Sequence, residues 1–120
     1  MARSVLVIDD EPEVLRLFET ILTSGGYLVV LADSGVVARQ MIKDGAFDLL
    51  ILDLCMPPPD GFELLKELRA SNPAPPVLVV SGYLQGVMLK AAQLMGATAT
   101  LAKRDAPGLL LSTVRAIFQL

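Results

Sequence analysis

At 120 residues, with 53% hydrophobic and 19% charged side chains, the chain has the size and apolar content of one compact domain, which excludes a disordered polypeptide. Its formal net charge is −3, and its basic residues are scattered singly apart from Lys103-Arg104, so direct nucleic-acid binding is not expected of it. With no histidine and one cysteine, Cys55, it has neither imidazole chemistry nor an internal disulfide.

The N-terminal Met1-Ala2-Arg3-Ser4 runs straight into an apolar segment ending in Asp9-Asp10, without the apolar region and cleavage site of a signal peptide. No stretch reaches the length of a membrane span before a charge, Pro or Gly interrupts it. A soluble, cytoplasmic chain with no membrane partner is the expectation. Val5 to Ile8 is a continuously apolar run, as in a strand buried on both faces. Pro12 suits a helix's first turn, and Val14, Leu15, Phe18, Ile21 and Leu22 follow at helical spacing until Gly25-Gly26. Tyr27 to Leu31 reads as a second strand. Ser34 can cap a second helix bearing Val37, Ala38, Met41 and Ile42, with Gly45 ending it. Leu49 to Leu52 is a third strand, between Asp48 and Asp53.

After Met56-Pro57-Pro58-Pro59, Asp60 caps a third helix, with Glu63 placed for an acidic capping box and Leu64, Leu65 and Leu68 as the buried stripe. Val77 to Val80 is a fourth strand, Gly86 to Met95 a fourth helix stopped by Gly96, and Ala97 to Ala102 a weaker fifth strand. Asp105 is placed to cap a last helix running through Leu110, Val114, Ile117 and Phe118. Strands and helices thus alternate throughout residues 1–120, taken as one domain. This predicts a doubly wound, flavodoxin-like α/β fold: a five-stranded parallel sheet in the order 2-1-3-4-5, with helices on both faces.

In that order the first and third strands are neighbours and flank the topological switch point, where ligands bind beyond the strands' carboxyl ends. One ends in Asp9-Asp10 and the other in Asp53, so three carboxylates would crowd into a small space. Such crowding is unfavourable unless a cation or proton compensates, and oxygen ligands without His or Cys favour Mg²⁺. A carboxylate beside a divalent cation can attack phosphorus and form an aspartyl phosphate. A single acid after a strand means little, and Asp48 is read as a solvated one. Ser81 follows the fourth strand and can donate to a phosphoryl oxygen; Gly82 leaves room for that group; Lys103 follows the fifth strand and can bring positive charge. Alone, Ser81 would be a loop hydroxyl and Lys103 a surface lysine.

Together these segments resemble the receiver domain of two-component response regulators (CheY-like), over nearly the whole chain. VLVIDDEP (5–12) resembles the family's acidic-pair segment, DLLILDLCMPPPDGFELL (48–65) its phosphoacceptor segment, VLVVSG (77–82) its hydroxyl-bearing strand end, and Lys103 its lysine. The resemblance implies Asp53 as phosphoacceptor, Asp10 as a direct Mg²⁺ ligand, Asp9 acting mostly through water, and the Cys55 backbone carbonyl as a further ligand. The Cys55 thiol is then a small semi-buried filler. It implies a phosphohistidine on a histidine kinase or histidine phosphotransfer protein as donor, and a signalling switch rather than an enzyme. The chain departs from the family pattern at Thr100, where an aromatic is usual, and at Arg104, where proline is usual. Tyr83 could supply the missing ring, and a cis peptide after Lys103 is not expected.

Phosphorylation would bias a face made of the fourth helix, fifth strand and fifth helix. Val87, Met88, Leu89, Leu94 and Met95, with Leu109, Leu110 and Leu111, exceed what one buried stripe needs on each helix. That excess fits either generous burial or a homodimer or partner surface. Two other functions compete. One is a degenerate receiver that binds a partner without phosphorylation, supported by Thr100 and Arg104. The other is a small Mg²⁺ phosphohydrolase or electron carrier, disfavoured because no second acid lies two residues beyond Asp53 and no Gly-rich loop follows the first strand.

Overall fold

The apolar runs pair into one parallel sheet, in the order expected. The computed structural model describes residues 2–71, 73–82 and 87–119, with Leu89 described by its backbone alone. Strands β1 (Ser4–Ile8), β2 (Leu28–Ala32), β3 (Leu49–Leu52), β4 (Val77–Ser81) and β5 (Ala99–Ala102) lie in the order β2-β1-β3-β4-β5. Between and after them run helices α1 (Pro12–Ser24), α2 (Gly35–Asp44), α3 (Gly61–Arg69), α4 (Val87–Leu94) and α5 (Ala106–Phe118).

Alternate residues of each strand feed opposite cores. Val5, Val7, Leu49, Ile51, Leu78, Val80 and Leu101 pack against Leu15, Phe18 and Leu22 of α1 and Leu110, Val114 and Ile117 of α5. Leu6, Ile8, Leu50, Leu52, Val77 and Val79 face the other way, against Ala38 of α2, Leu64, Leu65 and Leu68 of α3 and Ala92 of α4. The continuous hydrophobicity of β1, β3 and β4 follows from this burial on both faces. On the edge strand β2, Leu28 and Val30 remain exposed.

Two of the expected caps form. Ser34 accepts a hydrogen bond from the Val37 N–H at 3.2 Å, and Asp60 Oδ1 accepts from the Glu63 N–H at 2.9 Å. Asp105 does not cap α5: its backbone is already helical (φ −91°, ψ −12°), whereas a capping side chain needs an extended one. The chain enters α5 instead through a 3-10 turn at Lys103–Asp105. The fifth strand also starts later than Ala97, because the Ala97 N–H bonds back to the Ala92 carbonyl and completes the end of α4. The expected helix start at Gly86 and the ring of Tyr83 lie outside the described residues.

The apolar excess near the C-terminus divides in two. Met95 and Leu111 pack against the cores and Leu110 is fully buried, while Val87, Leu94 and Leu109 stay exposed, at 84%, 79% and 49%. The side chain of Leu89 is outside the described residues, and Met88 is half-buried. Among the described residues, no helix is long and apolar enough to cross a membrane.

Candidate acidic site

Register brings the acids together. Ile8 pairs with Leu52 at the ends of β1 and β3, so the next residues, Asp9 and Asp53, emerge side by side. The Asp53 N–H bonds to the Ile8 carbonyl at 3.0 Å and the Asp9 N–H to the Ala32 carbonyl at 3.1 Å. One carboxylate oxygen from each of Asp9, Asp10 and Asp53 lies within 4.8 Å of the others. Asp9 and Asp53 are buried, and Asp10 is exposed.

The two buried acids are held alike. Asp9 Oδ1 accepts from the N–H of Glu11 at 2.9 Å, and Asp53 Oδ1 accepts from the N–H of Cys55 at 3.1 Å. Each carboxylate therefore turns its other oxygen to Lys103, whose Nζ lies 2.9 Å from Asp9 Oδ2 and 3.1 Å from Asp53 Oδ2. Lys103 is positioned by the pairing of Ser81 with Ala102, which ends β5 one residue before it.

The electrostatics follow from this crowding. Burial pushes the Asp9 carboxyl above its ordinary value; the Glu11 N–H and Lys103 pull it down, Asp53 pushes it further up, and the net effect is upward. For Lys103, burial alone pulls the ammonium down. Its hydrogen bonds to Asp9 and Asp53 outweigh that, so it is held protonated, above its ordinary value.

The remaining candidates lie at the same carboxyl-end edge, differently exposed. Gly82, Cys55, Asp53, Glu11 and Lys103 line an open cleft of about 300 Å³. A methyl group at Gly82 would make only ordinary contact, at 3.9 Å, with Lys103 Cδ. Ser81 is fully buried, its hydroxyl 3.9 Å from Cys55 Sγ. Cys55 itself is exposed, not the semi-buried filler expected, because it lies in the loop beyond β3 and its neighbours Leu54 and Met56 take the buried positions. Thr100 lies in β5 opposite Val79, half-buried. The cis peptide among the described residues is Pro58-Pro59, and Lys103-Arg104 is trans.

Sequence reasoning missed Glu11. Its Oε2 lies 3.2 Å from Lys103 Nζ, making it the third acid on that ammonium. The available signal was its place directly after Asp9-Asp10, at the same strand end. A second cleft, of about 390 Å³ and lined by Phe47, Leu50, Leu68 and Pro75 among others, sits near the opposite ends of β3 and β4 and is lined by no titratable side chain.

The donor set suits a hard cation. All three clustered ligand atoms are carboxylate oxygens, the hard donors that Mg²⁺ takes. An exposed Asp10 leaves that position open to water and to oxygens from outside.

Comparison with known proteins agrees with this geometry. The family model described as "Response regulator receiver domain" matches residues 5–115. The transcriptional regulatory protein ZraR of Escherichia coli (strain K12) is 39% identical over 79 residues, which are 66% of this chain and 18% of that protein. The chain thus matches about a fifth of the length of such relatives. Chemotaxis protein CheY4 of Vibrio cholerae superposes with a TM-score of 0.90 at 28% identity, over 98% of this chain and 99% of that one. The response regulator TrrA of Thermotoga maritima, solved in complex with Mg²⁺-BeF, superposes with a TM-score of 0.85 at 26% identity, over 96% and 98% of the two chains.

Proposed function

The chain belongs to the response regulator receiver domain family of two-component systems, and from that premise we propose that it is a phosphorylation switch in which Asp53 accepts the phosphoryl group. The observation that carries this reading is the convergence of Asp9, Asp10 and Asp53 within 4.8 Å, with Lys103 bridging two of them. Residues 1–120 act as one receiver unit.

In this reading an Asp53 carboxylate oxygen attacks the phosphorus of a phosphohistidine on a histidine kinase or phosphotransfer protein. An O–P bond forms as the N–P bond breaks, and its electron pair stays on the donor's imidazole. Asp10, Asp53 and the Cys55 carbonyl would ligate Mg²⁺, with Asp9 acting through water. The ion would neutralise charge on the transferring group. Lys103 would turn one of its three N–H donors to a phosphoryl oxygen. Ser81 would donate to another, which its full burial makes a rearrangement rather than a preformed contact. Gly82 beside it leaves room for the group.

The new group adds about −1.5 to −2 charges. Movement of Ser81 would carry the segment after β4 with it and bias the face bearing Val87, Leu94 and Leu109. A second copy of the chain or an output partner would dock there. Self-phosphorylation and hydrolysis are the only reactions assigned to the chain, and DNA contact is not assigned to this acidic segment. Its place would be the cytoplasm, with the kinase's phosphorylated domain.

Incubation with Mg²⁺ and acetyl phosphate, followed by intact-protein mass spectrometry, tests the reading. The wild type should gain one phosphoryl mass and Asp53→Asn none. Failure of both to react would favour a phosphorylation-independent binding module.

A further inference from the structure

Lys103 has more partners than the proposed reaction requires. An ammonium carries three N–H donors, and Lys103 faces three carboxylates: Asp9 at 2.9 Å, Asp53 at 3.1 Å and Glu11 at 3.2 Å. A phosphoryl oxygen can gain this ammonium only by displacing one of them. Asp9 and Asp53 are fixed, each buried and each held by a backbone N–H on its other oxygen. The Glu11 side chain is 55% exposed, so water can solvate its carboxylate as soon as it lets go. Its backbone is held in place by the bond to Asp9, and although Glu11 stands at the N-cap of α1 its side chain makes no capping bond there.

We propose that Glu11 is a positioning residue that tethers Lys103 in the resting site and is the acceptor displaced when phosphoryl oxygens arrive, so that it slows loading of Asp53. The idea rests on Asp53 being the phosphoacceptor. Because the pair is partly exposed, the tether is weak, and losing it should speed loading by about two- to fivefold.

Two variants separate a tether from a general field effect. Glu11→Gln removes the charge; Glu11→Asp keeps it but withdraws it by one methylene, out of reach of Lys103. Labelling rates with acetyl phosphate at saturating Mg²⁺ should rise for both, and the gain should shrink at about 1 M salt. Without donor or Mg²⁺, the ¹H–¹⁵N ammonium signal of Lys103 should shift in both variants while the thermal midpoint changes little. Equal rates in all three proteins would overturn the inference, as would a Glu11→Asp rate matching wild type or an unmoved ammonium signal. A wild type that takes no label would instead defeat the phosphoacceptor reading itself, and the retarding role with it.

Discussion

Gly61 is pressed against the backbone of Asp53 so closely that a methyl group on its Cα would overlap the Asp53 carbonyl oxygen and the Leu54 Cα. Gly61 opens α3, directly after the capping Asp60, so the cap and the close approach together seat that helix beneath the acidic site. The atoms in the way are backbone and cannot rotate aside. Gly61→Ala should therefore destabilise the fold by about 1–3 kcal/mol despite alanine's better helix propensity. It should also displace Asp53 and lower the phosphoryl-labelling rate. Thermal denaturation and labelling, measured on the same preparation, check both effects.

Asp9 should lower the stability of the protein at neutral pH when no divalent cation is present. Its folded-state pKa lies above the ordinary 3.8, so the protonated form favours the fold. That contribution is complete below the unfolded value and is lost as pH rises through the raised one. Asp9→Asn should thus be more stable than wild type at pH 7 in EDTA, and the difference should vanish as pH falls through that window. Calorimetry across a pH series reads it. A difference independent of pH would contradict the assignment to Asp9.

Lys103 compensates two buried carboxylates at once. Lys103→Met should cost about 1–3 kcal/mol in EDTA, because the acids then face each other without a cation. Saturating Mg²⁺ should recover part of that loss, since a ligand of the folded state stabilises it by mass action. Combining Lys103→Met with Asp9→Asn should cost less than Lys103→Met alone, the coupling expected of groups in contact.

The exposed trio Val87, Leu94 and Leu109 should matter to assembly and not to phosphorylation. Light scattering after size exclusion should give a larger mass with Mg²⁺ and beryllofluoride than without. Leu94→Glu should abolish that increase while Asp53 still takes label at the wild-type rate. A monomer under both conditions would remove the dimer from the account.

A parallel sheet covered by helices on both faces was legible because strands and helices alternate and β1, β3 and β4 are apolar throughout, and the order 2-1-3-4-5 is the usual one for a doubly wound sheet of this size. The acids were legible because that order makes β1 and β3 neighbours, so Asp9, Asp10 and Asp53 could be placed together from their positions at strand ends. Glu11 escaped notice because its role depends on a side chain reaching sideways to Lys103, 92 residues away in sequence. Asp105 looked like a cap by residue type, but capping is decided by backbone angle, and the turn at Lys103–Asp105 had already made that backbone helical. The exposure of Cys55 followed the same logic. Loop packing sent Leu54 and Met56 inward and left the thiol outside.

The most direct test is to map the phosphoryl group by peptide mass spectrometry after acetyl phosphate treatment, once with Mg²⁺ and once with EDTA. The account predicts a single labelled site, Asp53, present with Mg²⁺ and lost with EDTA. Label on another residue, or equal labelling of Asp53 without the cation, would contradict it.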